Sequence, residues 1–208
     1  MTAAALFERA PRVKPGSKKL PIKLALGRAA LPTICRDLGY RRGAEIGVWR
    51  GAYSAAFMAA NPRLELLCVD PWLSYPAWQD TKNSLQPDKQ EAFMAAAYAQ
   101  ARARLAPLGC RIVRQFSVDA ARDVPDRSLD FVYIDGNHVA AAVREDLEAW
   151  APKVRRGGLV AGHDFRVFKH KPTIHVVEAV RAYTVDHGIS PWYSLAADRT
   201  PSWLWVVR

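Results

Sequence analysis

The sequence lacks any uninterrupted run of about 18 or more apolar residues, so we expect no membrane-spanning helix. The first twenty or so residues lack the order of charged start, apolar centre and cleavage site that marks a secretory signal, and we therefore expect a cytoplasmic protein. Cysteine is scarce. The three cysteines, Cys35, Cys68 and Cys110, are scattered and odd in number, which predicts reduced packing residues rather than disulfides or metal ligands.

Signatures of nucleic-acid recognition are also missing, because no helix-turn-helix, zinc-knuckle or RNP-type pattern occurs. The chain is nonetheless basic, with a formal net charge of +10 over 208 residues, and much of the excess lies near the N-terminus. Such a charge suits a nucleic acid, a membrane surface, an acidic small molecule or a protein partner, or serves solubility alone. Without a recognition motif, we favour a solvated basic face over a nucleic-acid partner.

The length of the chain predicts one domain. Residues 1–22 are rich in Pro, Lys and Arg without clear periodicity, which predicts a basic N-terminal arm ahead of a single domain over 23–208. The arm is a candidate contact in a homo-oligomer. Helical spacing of apolar residues predicts a first helix over 23–39, after which strands and helices alternate. The predicted strands cover 43–48, 64–70, 111–116, 129–135, 158–164 and 202–207, and the predicted helices cover 52–60, 87–106, 139–153 and 173–187.

Apolar strands that alternate with helices predict an α/β fold, with a doubly wound, mostly parallel sheet and helices on both of its faces. In such sheets, ligands bind beyond the carboxyl ends of the strands, near the point where strand order reverses. Acidic and small polar residues stand at or just past five predicted strand ends. They are Glu45 and Gly47, Asp70, Ser117 and Asp119, Asp135, and Asp164. Their shared placement predicts one ligand site at that edge.

The first predicted strand runs into an E-x-G-x-x-x-G motif, from Glu45 to Gly51. The glycines, Gly47 and Gly51, allow close approach of the backbone to a ligand, and the helix that follows offers free N–H groups. Asp70, at the end of the second strand, suits hydrogen bonds to two ribose hydroxyls. Together these motifs favour a ligand that contains a nucleoside. Considered separately, each motif has an alternative: the Glu45–Gly51 segment could be an ordinary strand-turn-helix, and Asp70 could cap a turn.

The sequence resembles a class I S-adenosylmethionine (SAM)-dependent methyltransferase in the segments AEIGVWRG, LCVDPW, DFVYIDGNH, RRGGLVAGHDF and PSWLWVV. It most resembles the small bacterial family whose fourth strand ends in IDG-x-H and whose fifth ends in GHD, a family related to metal-dependent sugar O-methyltransferases. The resemblance covers about residues 40–208. It implies a Rossmann-like fold with a seven-stranded sheet, SAM as cofactor, and O-methylation of a small-molecule or sugar hydroxyl.

The resemblance also implies where SAM is bound. Glu45 and Gly47 would line its methionine end, and Asp70 would hold its ribose. The loop after the third strand, residues 117–119, would border its adenine. The expected cofactor contacts are Glu45, Gly47, Gly51, Asp70, Ser117, Val118, Asp119 and Asp135.

At the acceptor end, the resemblance implies that Asp135 and Asp164 bind a divalent metal, Mg²⁺, and that His138 takes the proton of the acceptor hydroxyl. A hard cation on carboxylate oxygens lowers the pKa of a hydroxyl, and a histidine can accept its proton. Phe165 stands where catechol-type relatives have an amide, so one usual ligand is absent. Alternatives remain: an Asx turn for Asp135 and a helix N-cap for His138. Strand alternation is expected to point His163 to the opposite side of the strand from Asp164, which leaves His163 either as a packed residue or as a further ligand or base.

Residues 71–90 interrupt the alternation and predict a long loop. Its aromatic residues, Trp72, Tyr75 and Trp78, form either a lid over the acceptor pocket or simple packing at the sheet edge. Oligomer contacts are a further use of this loop.

Basic residues follow the fifth predicted strand, at the same end of the sheet: Arg166, Lys169 and Lys171. They either attract an anionic acceptor or form a solvated loop. The alternative to a small-molecule enzyme is a SAM-binding module, or a methyltransferase with a nucleic-acid partner recruited by the basic arm, 1–22.

Overall fold

The computed structural model describes residues 1–17, 19–73, 87–168 and 174–208. Within these residues, the strands are β1 Ile22–Leu24, β2 Arg42–Ile46, β3 Glu65–Val69, β4 Arg111–Val113, β5 Leu129–Ile134, β6 Val154–Gly162, β7 Tyr193–Leu195 and β8 Ser202–Val206. The helices are α1 Ala3–Arg9, α2 Ala30–Asp37, α3 Ala52–Ala60, α4 Pro87–Leu105, α5 Ser117–Arg122, α6 Ala140–Trp150 and α7 Val176–Asp186. No helix of this described part of the chain has the length and apolarity needed to cross a membrane.

The eight described strands form one mixed sheet in the order β1-β7-β8-β6-β5-β2-β3-β4. Five of the seven neighbouring pairs are parallel, and β8 runs antiparallel to both of its neighbours. The carboxyl ends of β2 to β6 therefore meet at one edge. Strand order reverses at β2, which has β5 on one side and β3 on the other. A reversal of this kind opens a crevice at the carboxyl edge.

Two hydrophobic clusters cover the two faces of the sheet. Along β5, Phe131 and Tyr133 belong to one cluster, whereas Val132 and Ile134 belong to the other. This division follows from the two-residue period of a strand that is buried on both faces. The predicted α/β architecture, with a mostly parallel sheet and helices on both faces, is confirmed.

The predicted count of seven strands is wrong, because the sheet has eight. β1 crosses the boundary between the predicted arm over 1–22 and the helix predicted over 23–39, and the helix itself is confined to α2. β7 was not predicted at all. Both are three-residue strands that pair with each other in parallel, and three residues are too few to show a two-residue period.

The N-terminal residues contribute to the core. In α1, Phe7 is completely buried and packs against Tyr193, with ring centroids 5.6 Å apart. Arg12 then bridges to Leu24 at the sheet edge. The division of the chain into an arm over 1–22 and a domain over 23–208 stays a prediction.

Candidate functional site

A cavity of about 620 Å³ opens at the carboxyl edge of the sheet, where strand order reverses around β2. The ends of β2, β3 and β5, the start of α5 and one side of α6 form its walls. Its size and position suit a nucleoside-sized ligand. Six predicted site residues line it: Gly47, Asp70, Ser117, Val118, Asp135 and His138. We call this space the cofactor cavity.

Gly47 directly follows β2 and has a left-handed backbone, with φ of +86°. A Cβ at Gly47 would lie 2.2 Å from the carbonyl oxygen of Asp135, so any side chain would force the two strand ends apart. Gly51 is also left-handed, but its absent Cβ would lie 2.8 Å from the Leu105 side chain. Gly47 therefore shapes the cofactor cavity, whereas Gly51 lies outside its lining and lets α3 pack against α4.

Asp70 follows β3 and is held by the backbone of two tryptophans. One carboxylate oxygen accepts the N–H of Trp49 at 2.8 Å and the other accepts the N–H of Trp72 at 2.7 Å. Burial raises the pKa of Asp70, and these backbone hydrogen bonds oppose the rise. Each oxygen keeps a lone pair for a ribose hydroxyl. Trp72 itself is buried and donates to the Trp49 carbonyl at 2.7 Å, while Tyr75 and Trp78 lie outside the described residues.

Ser117 and Val118 line the cofactor cavity, but Asp119 does not. These residues begin α5 rather than a loop, so successive side chains turn by roughly 100° about the helix axis. Asp119 therefore points outward, is more than half exposed, and pairs with Arg122 at 3.0 Å. Its predicted contact with adenine has no support from this position.

Asp146, on α6, is a cavity residue that is absent from the candidates drawn from the sequence. It is 5% exposed and lines the cofactor cavity beside Ser117. Burial raises the pKa of Asp146 to about 6, although a hydrogen bond with Ser117 opposes the rise. Its spacing in the sequence could have indicated that Asp146 is buried. Asp146 lies three residues after Val143 and four before Trp150, and therefore on the apolar stripe of the helix.

Glu45 lies away from the cofactor cavity. It is 2% exposed, and the hydroxyl of Ser54 donates to its carboxylate. Its neighbour Ile46 lines the cavity, so the alternation of side chains along β2 turns Glu45 toward the opposite face. Burial raises the pKa of Glu45 to about 8, and the Ser54 hydrogen bond only partly offsets this. The contact predicted between Glu45 and SAM stays a prediction.

Asp135, His138 and Asp164 meet at one end of the cavity. His138 Nε2 is 2.9 Å from a carboxylate oxygen of Asp164 and 3.5 Å from one of Asp135. Potential ligand atoms of the three residues all lie within 4.8 Å of one another. Asp164 directs its carboxylate here because its backbone, just past β6, is left-handed with φ of +53°.

The two carboxylates control the protonation of His138. Burial alone would lower the pKa of His138, but the nearby Asp135 and Asp164 carboxylates outweigh burial and raise it to about 9. The pKa of Asp164 is lowered, because burial is outweighed by the proximity of His138 and the charges of His163 and Arg28. His138 therefore holds a proton at neutral pH until another cation compensates the carboxylates.

His163 was expected to point away from Asp164, and this interpretation is wrong. Its Nδ1 lies 3.5 Å from one oxygen of Asp164 and 3.7 Å from one of Asp135. The expectation assumed regular strand alternation, which the left-handed backbone of Asp164 breaks.

Arg28 also reaches this cluster, and the sequence did not single it out as a site residue. Its Nη2 is 3.1 Å from the second carboxylate oxygen of Asp135. Its guanidinium carbon lies 3.9 Å from the centre of the Tyr53 ring. No local sequence pattern marks Arg28, because its partners come from distant segments.

A divalent cation fits the cluster. His138 Nε2 is buried and, despite its short distance to Asp164, makes no hydrogen bond of suitable angle to any described residue. An orphaned imidazole nitrogen facing two carboxylates is a donor set that divalent metal ions accept. The chain offers Asp135, Asp164 and His138 as its ligands.

A nucleoside-sized cavity at the switch point of a doubly wound sheet, with acids at its strand ends, is the arrangement expected of a SAM-dependent methyltransferase. Residues 44–165, more than half of the chain, match the family model described as a methyltransferase domain, and the protein belongs to that family.

Comparison with solved structures supports the same fold. The chain is similar to the O-methyltransferase NovP, at 18% identity over 86% of this chain and 79% of that one, with a TM-score of 0.63. It is also similar to an O-methyltransferase from Bacillus cereus in complex with SAH, at 13% identity over 99% of this chain and 86% of that one, with a TM-score of 0.59.

Among curated proteins, the chain is 35% identical over 60 residues to an uncharacterized protein, y4gI, of Sinorhizobium fredii. That match spans 29% of this chain and 7% of the relative. It therefore carries no information about the activity of the whole protein.

Proposed function

We propose that the protein transfers the methyl group of SAM to a hydroxyl group of a small molecule or sugar. The observation that carries the proposal is the convergence of Asp135, His138 and Asp164 at one end of a cavity of about 620 Å³. Two carboxylates and an imidazole, placed beside a cofactor cavity, suit the removal of a proton from an acceptor.

In this proposal SAM occupies the cofactor cavity. Asp70 accepts hydrogen bonds from the ribose, Ser117 and Val118 border the adenine, and the bare backbone at Gly47 lies against the methionine end. The methyl group then faces Asp135. Transfer follows once the acceptor oxygen is in line with the methyl carbon and the sulfur.

Asp135 and Asp164 would hold a divalent cation, Mg²⁺, with His138 as a third donor or as the base. When bound, such a cation lowers the pKa of the acceptor hydroxyl and compensates the two carboxylates. His138 Nε2 accepts the hydroxyl proton, and Asp135 keeps the imidazole in position. The relationship to sugar O-methyltransferases remains part of this proposal.

A nucleic-acid partner held by residues 1–22 has less support. Phe7 of α1 is buried in the core, so part of this segment is used for packing.

The proposal is tested in two steps. Calorimetry first measures the binding of SAM and of its product S-adenosylhomocysteine (SAH). If neither compound binds, the proposed function is overturned. Methyl transfer from labelled SAM to pooled glycosides and catechols is then measured with and without chelator.

The residue test is Asp135→Asn. We expect transfer to fall by about a hundredfold or more, because the base loses its partner, while SAH affinity changes little. The control, Asp126→Asn, removes a carboxylate paired with Lys153 outside the cavity and should keep full activity. Equal activity of both variants would contradict the assignment.

A further inference from the structure

A second space adjoins the reactive cluster. It is a groove of about 830 Å³ between α2 and α3, which we call the α2–α3 groove. Its lining includes Arg28, Thr33, Tyr53, His163, Asp198 and Arg199. Arg28 and His163 both approach the carboxylate of Asp135, which itself lines the cofactor cavity. Asp135 therefore lies between two spaces, as transfer between two bound substrates requires.

Arg28 is held in a defined position at the end of this groove. Its backbone N–H donates to the Asp198 carboxylate at 2.5 Å, and its carbonyl accepts the Tyr53 hydroxyl at 2.9 Å. Gly27 permits this docking, because a Cβ there would lie 2.8 Å from Asp198. The guanidinium also stacks on Tyr53, so its orientation is set before any ligand arrives.

Not all N–H donors of the Arg28 guanidinium are used within the protein. Nη2 contacts Asp135, whereas Nε is buried without a hydrogen-bond partner among the described residues. The Arg28 side chain is 26% exposed, and the open space beside it is the α2–α3 groove. A guanidinium binds carboxylate or phosphate through two parallel N–H bonds, and the exposed part of this one faces the groove.

The charges along the groove favour an anion. Its described lining contains two arginines, Arg28 and Arg199, and one aspartate, Asp198. The carboxylate of Asp198 already accepts a backbone N–H. The charge of Asp135 is offset by its ion pair with Arg28, so it does not repel a ligand strongly.

We propose that the α2–α3 groove is the acceptor site, and that Arg28 binds a carboxylate or phosphate group of the acceptor. This rests on the proposed function. With its anionic group on Arg28, the acceptor presents its hydroxyl to Asp135 and His138. The oxygen bonds to the methyl carbon as the bond from sulfur to that carbon breaks, the hydroxyl proton passes to His138, and SAH leaves.

The test measures binding to wild-type protein saturated with SAH, by calorimetry. The probes are two matched pairs, 3,4-dihydroxybenzoate with 3,4-dihydroxybenzamide, and glucose 6-phosphate with glucose. We expect at least one anion to bind about tenfold or more tightly than its neutral partner. The pair that shows the preference identifies the anion as carboxylate or phosphate.

Variants then assign the preference to Arg28. Arg28→Gln should abolish it, and Arg28→Lys should retain part of it, because a lysine keeps the charge but loses the planar fork. Arg36→Gln removes the same charge from an exposed position on α2 and should leave the preference unchanged. If Arg28→Gln does not fold, the proposal is tested by Arg28→Lys and by the binding of the matched probe pairs to the wild-type protein.

The outcomes separate the two proposals. Failure of SAH to bind overturns the proposed function. Normal SAH binding without a preference for either anion, or a preference that survives in Arg28→Gln, overturns the acceptor site.

Discussion

Nη2 of Arg28 lies 3.1 Å from a carboxylate oxygen of Asp135, and this ion pair joins the segment between β1 and α2 to the end of the central strand β5. The other oxygen of Asp135 is 3.5 Å from Nε2 of His138. Asp135 is therefore flanked by a guanidinium and an imidazole, one in the lining of each space. This arrangement makes Asp135 the common point of the cofactor cavity and the α2–α3 groove.

Asp164 is expected to be needed for metal binding. Wild-type protein should bind one Mn²⁺, and Asp164→Asn should bind it about tenfold or more weakly, because one charged oxygen donor is lost. Electron paramagnetic resonance of free Mn²⁺ measures this without activity. Asp126→Asn, with its exposed carboxylate, serves as control. Equal affinities in the wild type and Asp164→Asn would place any metal elsewhere.

Glu45 should make stability depend on pH. The unfolded chain loses the Glu45 proton near the ordinary pKa of 4.5, whereas burial holds it in the folded protein up to about 8. Because the folded state binds the extra proton, the free energy of unfolding falls as pH rises through this window, by on the order of a few kcal/mol.

Substitution Glu45→Gln removes that proton equilibrium, so its stability should vary less with pH. Its melting temperature relative to wild type should rise between about pH 5 and 8 and level off above. Differential scanning calorimetry across this pH range measures the difference in melting temperature. Glu91→Gln, at an exposed position, is the control. Parallel profiles for wild type and Glu45→Gln would show that the carboxylate is ionised throughout.

Gly47→Ala should impair the cofactor cavity. Its Cβ would meet the Asp135 carbonyl at 2.2 Å, in addition to the strain of a left-handed backbone. Gly39→Ala is a matched control, because it has φ of +74° but nothing within 4 Å of its Cβ.

Both variants should lose about 1–2 kcal/mol from backbone strain. Only Gly47→Ala should lose more stability than this and also bind SAH at least about tenfold more weakly, since the cavity wall must move. Urea unfolding and calorimetry measure the two effects. Similar losses of stability and of SAH affinity in both variants would mean that the structure relieves the clash at Gly47 without changing the cofactor cavity.

Ser117 should stabilise α5 against α6. Its hydroxyl oxygen accepts Nε1 of Trp150 at 2.7 Å, so Ser117→Ala leaves a buried N–H unpaired. We expect the free energy of unfolding to fall by about 1–3 kcal/mol. The control, Ser128→Ala, removes an exposed hydrogen bond to Pro125 and should change stability by less than about 0.5 kcal/mol. Urea unfolding of both variants tests this, and equal effects would contradict it.

Local pattern predicted much of the site. Asp70 and Asp135 could be placed because each ends an apolar run that forms a buried strand, and parallel strands end at one edge. Asp119 could not be placed in this way, because the direction of its side chain depends on whether the residues after β4 form a loop or a helix. Arg28 could not either, because Asp135 and Asp198, which contact it, are far away in the sequence.

The sequence by itself determined the alternation of strands and helices, and with it the edge at which the acids gather. Those features depend on apolar spacing over a few neighbouring residues. Tertiary structure decided the rest: the left-handed turn at Asp164 that brings its carboxylate to His138, the burial that raises the pKa of Glu45, and the docking of Arg28 beside Asp135. Each of these depends on atoms from segments far apart in the chain, so no local pattern records it.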